Sequence, residues 1–393
     1  MLQPIVSIVS PRPAPSPLAG LRNTHTLRTA LVLVVLWLAL AVHPGTSGTF
    51  LTPGNLSNIS AQISELVIIG VGMTFVVLTG GIDLSVGAGM AFFGVIAATL
   101  QIDHGQPAWV AILAALAASI VVGIWHGLLV ARYRIAPFIA TLSGFLAYRG
   151  LALVLSDARG LSPMGSDFAF LGSRIGAAPA TILCLGGTAL GLTILVRRYQ
   201  RRRRFGLPVE PTWLVAARAA VIASVGAVCL WIFRAGMPVP VLIAAAVTAV
   251  GATLLQSSRL GRYAFAIGGN PEAARLSGVP VVRVKMIVYT MTAVLTAVAA
   301  LIAASRGNGV TPGNMGLIRE LHVITAVVIG GTSLAGGRAT IVGTVLGALI
   351  FGTLSNGMNL LGVSSNWQLI TTGMIILGAA RLDTWSTRQE AHS

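Results

Sequence analysis

The stretch AQISELVIIGVGMTFVVLTGGIDLSVG, residues 61–87, decides how the chain is read. Its first part, residues 61–79, is apolar apart from Glu65 and a few small polar residues. Such a run matches the roughly 20 residues a helix needs to cross a bilayer. It ends in Gly80-Gly81-Ile82-Asp83-Leu84-Ser85-Val86-Gly87, a glycine-rich turn that leads into a second apolar run over 82–100. Working outward, further apolar runs lie at 29–42, 107–131, 136–155, 177–196, 212–233, 238–256, 286–304, 321–336, 339–361 and 367–380, twelve segments in all. The expected fold is therefore all-α, a polytopic membrane bundle of about 10–12 transmembrane helices. Composition agrees. Of 393 residues 55% are apolar and 9% charged, against about 25% charged in soluble domains. So few charges cannot cover a soluble surface of this size, which excludes an ordinary cytosolic enzyme.

The positive charge locates the two faces of the membrane. Residues 1–28, Pro- and Ser-rich with Arg12, Arg22 and Arg28, read as a disordered cytoplasmic tail, and residues 384–393 as a cytoplasmic C-terminal tail. With the N-terminus inside and the segments alternating, 19 of the 26 Lys and Arg fall in cytoplasmic loops and 5 outside; Arg149 and Arg218 lie within spans. That bias places both termini in the cytoplasm. It also turns the net charge of +16 away from nucleic acid, because the Arg201–Arg204 run flanks a membrane segment and has no interleaved aromatic residues for base stacking. A second octet, Gly330-Gly331-Thr332-Ser333-Leu334-Ala335-Gly336-Gly337, resembles the first. Eight spans separate the helices that lead into the two octets, so both copies run in the same direction, the sign of a parallel internal repeat.

No hydrolytic, redox or metal chemistry assembles. The six histidines are scattered, and Cys184 and Cys229 sit in apolar runs as packing residues. A P-loop needs a Lys after Gly, and the only lysine, Lys285, follows Val284, so any ATP must be bound by another polypeptide. Ionisable residues within spans are few: Glu65, Asp83, Arg149 and Glu320, each read as close to a span end. Asp83 and Ser85 either cap their helix or start a half-helix that lines a polar path.

The loop Gly261–Pro280 carries the most specific local signal. Asn270 suits an N-cap, Pro271 the first helical position and Glu272 the positive end of a helix dipole. Ala273, Ala274, Arg275, Leu276 and Ser277 continue the turn, and Gly278 and Pro280 end it. A helix of about two turns is marginal alone in water. It either packs on its own bundle or is offered to a cytoplasmic partner.

With these residues laid out, the chain resembles the permease subunits of bacterial ATP-binding-cassette sugar importers of the ribose, xylose and arabinose type. The resemblance runs through Phe50–Ile59, Leu78–Gly87, Pro137–Leu142 with Tyr148-Arg149-Gly150, Gly261–Gly278, and Glu320–Gly337 continuing to Asn356–Val363. It implies a permease domain over 29–383 whose coupling loop, 261–280, presents the helix Asn270, Glu272, Ala273, Ala274, Arg275, Ser277 and Gly278 to an ATPase. It further implies no catalytic or metal site and no cofactor in this chain, with ATP and Mg on the partner ATPase. A second permease copy, a periplasmic sugar-binding protein and a place in the bacterial inner membrane complete the expectation. Asp83, Ser85, Asn356 and Asn359 are the polar candidates for the translocation path. His322 stands where the family usually has Asp, and the extra length of 177–236 resembles the xylose type, which favours a pentose. Alternatives are a nucleoside, autoinducer or amino acid carried by the same architecture, and a self-sufficient secondary transporter.

Overall fold

The computed structural model describes residues 24–391. Most of the N-terminal tail, with Arg12 and Arg22, lies outside the described residues. In chain order the helices are α1 (Thr24–Val42), α2 (Pro53–Leu78), α3 (Val86–Ile102), α4 (Ala108–Gly127), α5 (Pro137–Leu155), α6 (Ala177–Arg204) and α7 (Thr212–Ile232). There follow α8 (Val239–Ser257), α9 (Arg259–Gly269), α10 (Pro271–Leu276), α11 (Val281–Arg306), α12 (Arg319–Ile329), α13 (Ile341–Leu360) and α14 (Ser365–Ala391). A two-residue antiparallel ribbon pairs β1 (Arg174–Ile175) with β2 (Met237–Pro238). Each of the twelve apolar segments contains a helix, and among the described residues eight helices are long and apolar enough to cross a membrane. The protein is a polytopic all-α bundle. The last helix runs past the expected boundary at 383 through Ala391.

Helix starts follow local chemistry. Pro53 opens α2 behind Thr52, whose hydroxyl accepts from Asn55 N at 3.3 Å, and Pro137 opens α5. Proline fits the first helical turn because its missing N–H has no intrahelical partner to lose. At the centre stands α2, buried along almost its whole length by α8, α11, α12 and α13. Small residues make that possible: Gly72 packs on Thr292 of α11, Gly70 on Thr344 of α13, and Gly251 of α8 on Val71. Close approach of this kind replaces the hydrophobic drive that is absent between helices in lipid. At the periphery, the α6–α7 hairpin turns Ile182, Leu185, Val221 and Val225 outward. An apolar outer face is what a bilayer demands.

The structure corrects three readings. The segment expected as a span over 321–336 is the 11-residue α12, only about 16 Å long and too short to cross. It begins at Ile318, which adopts a left-handed φ of 54°, and ends at Gly330-Gly331, the latter at φ 89°. Glu65 is not near a span end: α2 starts at Pro53 and continues to Leu78, so Glu65 sits about 18 Å into a helix about 39 Å long. Glu320 does begin its helix, but that helix starts deep in the bundle.

Candidate functional site

One end of the bundle gathers the basic loops and the α9–α10 pair. Ser258 caps α9, its hydroxyl accepting from Gly261 N at 3.2 Å, and Gly261, Ala264 and Ile267 form its buried stripe. The next helix is built as its sequence specifies. Asn270 Oδ1 accepts from Glu272 N at 3.1 Å and Ala273 N at 3.0 Å. Gly278, at φ 80°, donates its N–H to the Arg275 carbonyl at 3.0 Å, and Val279 N donates to the Ala274 carbonyl at 3.0 Å. On the outer face Arg275 Nη2 donates to Glu272 Oε1 at 2.6 Å and Nε to Oε2 at 3.2 Å. Those bonds and the guanidinium charge hold the Glu272 carboxyl below its ordinary range and push Arg275 up. Of the α10 residues only Ala274 (5% exposed) is buried; Leu276 is 77% exposed, and Asn270, Glu272, Ala273, Arg275, Ser277 and Gly278 all face outward. The helix therefore rests on one methyl foot and offers the rest of its surface.

What lies beneath α9 is specific. Gly268 packs on the Leu78 carbonyl and on Gly337, and Gly337 N donates to Leu78 O at 3.1 Å. The end of α2, two residues before the first glycine-rich octet, and the end of the second octet thus meet under α9, and a displacement of α10 that moves α9 reaches both through a backbone contact with no side chain to absorb it.

A second polar cluster lies at mid-depth. The chain leaves α2 at Leu78, turns at Gly80 (φ 74°), and runs without regular secondary structure through residues 81–85 before α3 begins. Gly81 packs on the Tyr289 hydroxyl and Gly89 on Thr296 of α11. Thr296 is about 22 Å along the roughly 39 Å of α11, so α3 starts near the middle of the bundle. Asp83 and Ser85 are brought together there: Asp83 Oδ1 accepts from Ser85 N at 2.9 Å and from Ser85 Oγ at 2.6 Å. Ser85 Oγ lies 3.5 Å from His126 Nδ1, and His126 Nε2 lies 3.1 Å from the Tyr148 hydroxyl. With Ser85 donating to Asp83, the chain closes if His126 carries its proton on Nδ1 and accepts from Tyr148. Asp83 thus anchors the segment before α3, and Ser85 makes no side-chain cap.

Facing this break is the start of α12. Glu320 packs against Gly87, with the Gly316 carbonyl beside it. Glu65 holds the same region from α2: Arg306 Nη1 donates to Glu65 Oε1 at 2.8 Å and Arg319 Nη2 to Oε2 at 3.4 Å. Two broken helices, α3 and α12, therefore present their N-termini to each other at mid-depth, where helix dipoles favour negative charge.

The remaining sequence candidates lie elsewhere. Asn356 exchanges amide hydrogen bonds with Asn55, at 2.9 and 3.0 Å, and pins α13 to α2 at the end opposite the basic loops. Asn359 is exposed and accepts from Gln368 at 2.7 Å. His322 stacks on Phe351, ring centroids 4.3 Å apart. Sequence reasoning passed over Arg306 and Arg319 as the partners of Glu65. It had no signal for them, since both read as loop residues. Among the described residues no three His, Cys, Asp or Glu side chains gather around a metal-sized space.

Comparison with known proteins fits this architecture. Residues 55–380 match the family described as branched-chain amino acid transport system/permease component. The chain is 38% identical over 366 residues to the xylose transport system permease protein XylH of Haemophilus influenzae, covering 92% of this chain and 96% of that one. It is 35% identical to XylH of Escherichia coli K12, over 94% and 95% of the two chains. The ribose import permease protein RbsC of Bacillus subtilis is 37% identical, over 85% and 86%. No solved structure matches. A deep broken-helix bundle, matched along nearly its whole length by transport permeases, belongs to the family of permease components of transport systems.

Proposed function

We propose that this chain is the membrane-spanning subunit of an ATP-binding-cassette importer that admits a pentose, xylose or ribose, through the bacterial inner membrane. The observation that carries the reading is α10: a rigid, doubly capped helix whose surface is exposed except at Ala274. A helix this short does not persist for its own sake in water. Its caps make sense where another protein presses on it. In this reading ATP and Mg sit on a cytoplasmic ATPase, because the single lysine of this chain follows Val284 and forms no P-loop. Closure of two ATPases on α10 moves α9, and α9 shifts the end of α2 and the second glycine turn, both of which it touches through Gly268. The spans then exchange inward- and outward-open arrangements.

The bias of Lys and Arg toward these loops supports an orientation with α9, α10 and both termini on the cytoplasmic side. A periplasmic sugar-binding protein delivers the solute to the opposite end, and a second copy of the chain completes the translocator. The xylose- and ribose-named relatives favour a pentose. The family description favours an amino acid as the alternative cargo.

The test is ATP-dependent uptake in cells carrying the complete importer. Ala273→Trp adds bulk to the outer face of α10 without touching the bundle. Loss of labelled xylose and ribose uptake at normal membrane levels of the chain supports the reading. Unchanged uptake sinks the coupling role, and accumulation of leucine instead of pentose transfers the cargo assignment to the alternative.

A further inference from the structure

The segment joining α11 to α12 descends into the membrane, and part of it is bare. Val310 pairs with Leu161 at the outer end, Met315 packs on Gly94, and Gly316 on Gly87 and Met90. Gly87 and Gly94 occupy the first half of α3, which itself starts near mid-depth. Thr296 against Gly89, with Gly316 against Gly87, places the lower end of this loop near the centre of the bundle. Yet Thr311, Gly313 and Asn314 are exposed. Irregular backbone at membrane depth does not face lipid, because its N–H and C=O groups have no partner in hydrocarbon; it is tolerated only against protein or water.

The loop is also held open in a particular way. Arg149 of α5 donates Nη1 to the carbonyls of Pro312 (2.5 Å), Gly313 (3.4 Å) and Met315 (2.9 Å). Its Nη2 has no protein partner, and neither does Oε2 of Glu320, whose side chain is more than nine-tenths buried beside the loop. The two groups do not bond to each other. A guanidinium held by three carbonyls, with a donor left over, stiffens a backbone otherwise held by turn hydrogen bonds, Asn314 N and Met315 N both donating to the Thr311 carbonyl.

We infer that the loop 311–316, braced by Arg149, forms a wall of the water-filled path along which the solute crosses the middle of the membrane. This rests on the importer reading for the identity of the solute. A neutral polyhydroxy compound suits such a wall, which offers backbone carbonyls, the Asn314 amide and a spare guanidinium N–H and asks no counter-charge. None of these residues was among the sequence candidates. The span expected over 321–336 placed the loop outside the membrane, where its exposure would have been ordinary.

The test is cysteine accessibility in the assembled importer, with Cys184 and Cys229 replaced by Ala. Thr311→Cys and Asn314→Cys are compared with Val221→Cys, on the exposed face of the peripheral α7. A charged, membrane-impermeant methanethiosulfonate is expected to label positions 311 and 314 at least tenfold faster than 221, and millimolar xylose to slow that labelling severalfold. The inference is overturned if 311 and 314 label only with a lipid-soluble maleimide at the rate of 221. It is equally overturned if they resist both reagents and cross-link directly to the second copy. Fast charged labelling without protection, in a chain that moves no pentose, leaves the aqueous wall standing and removes the sugar reading alone.

Discussion

The two glycine-rich octets share four letters and a direction, and they fold differently. In the second, Gly336 and Gly337 both adopt left-handed backbone, at φ 86° and 77°, and the turn closes on itself through Gly336 N to Ser333 O at 3.0 Å and Ser333 N to Arg338 O at 3.1 Å. A full-length α13 follows. In the first, Val86 stands where Gly336 stands in the second. A β-branched residue does not enter left-handed backbone cheaply, so the chain cannot close the same loop. It runs irregularly past Asp83 and starts α3 late. The first copy breaks its trailing helix and the second its leading helix, α12. These breaks face each other at Gly87 and Glu320. A repeat in sequence has thus become a complementary pair in structure.

The largest expected effect comes from the ion cluster joining the copies. Glu65→Ala leaves Arg306 and Arg319 without their carboxylate in a mostly buried site, and the loss of one partner of a buried ion pair costs about 3–5 kcal/mol. Because the arginines are partly exposed, the lower end applies. Thermal unfolding in detergent measures it. If α12 is held independently of α2, the melting temperature will not move.

Gly87 and Gly337 hold the same octet position and give a sharper comparison. In Gly87→Ala the new methyl meets the Glu320 carboxylate and the backbone carbonyl of Gly316, and overpacking of this kind costs about 1–3 kcal/mol. Gly337→Ala meets only ordinary contacts, and its cost is the left-handed backbone, about 1 kcal/mol. The ordering of the two melting temperatures is the measurement, and equality would mean the copies are packed alike.

Two smaller effects concern α10, whose neighbour α9 touches the end of α2 and the second turn. Asn270→Ala removes a cap for two N–H groups, worth about 1 kcal/mol to the helix. Uptake should fall at unchanged membrane levels, more than for a neutral change at exposed Gln106. Glu272 should titrate below the ordinary glutamate range, returning to it in Arg275→Gln. Since its folded value is depressed, the contact is present above the ordinary value and fades only as pH falls through the depressed one. Carboxyl NMR titration of the two variants reads this directly, and coincident curves would dismiss the pair.

Much of this was legible before any coordinates. The helical segments other than α12 follow largely from hydropathy, and the start of α10 at Pro271 and its end before Gly278 follow from capping rules that act over four residues. The polar candidates fared unevenly. Asp83 and Ser85 are two residues apart in sequence, so their contact was within reach of local reasoning. Asn356 found Asn55, three hundred residues away, and no spacing rule anticipates that bond. Hydropathy also misjudged 321–336, because a run of apolar residues reports affinity for the membrane and not the depth at which a helix begins.

The sequence by itself determined the class of protein, the helix limits set by proline and glycine, and the capped helix at the basic end, because each depends on neighbours within a turn or on composition alone. The tertiary structure decided the depth of the two breaks, the burial of Glu65 and Glu320, and the bracing of residues 312–315 by Arg149. Those depend on which helices pack around α2 and how closely their glycines let them come, and that is a property of contacts between residues far apart in the chain.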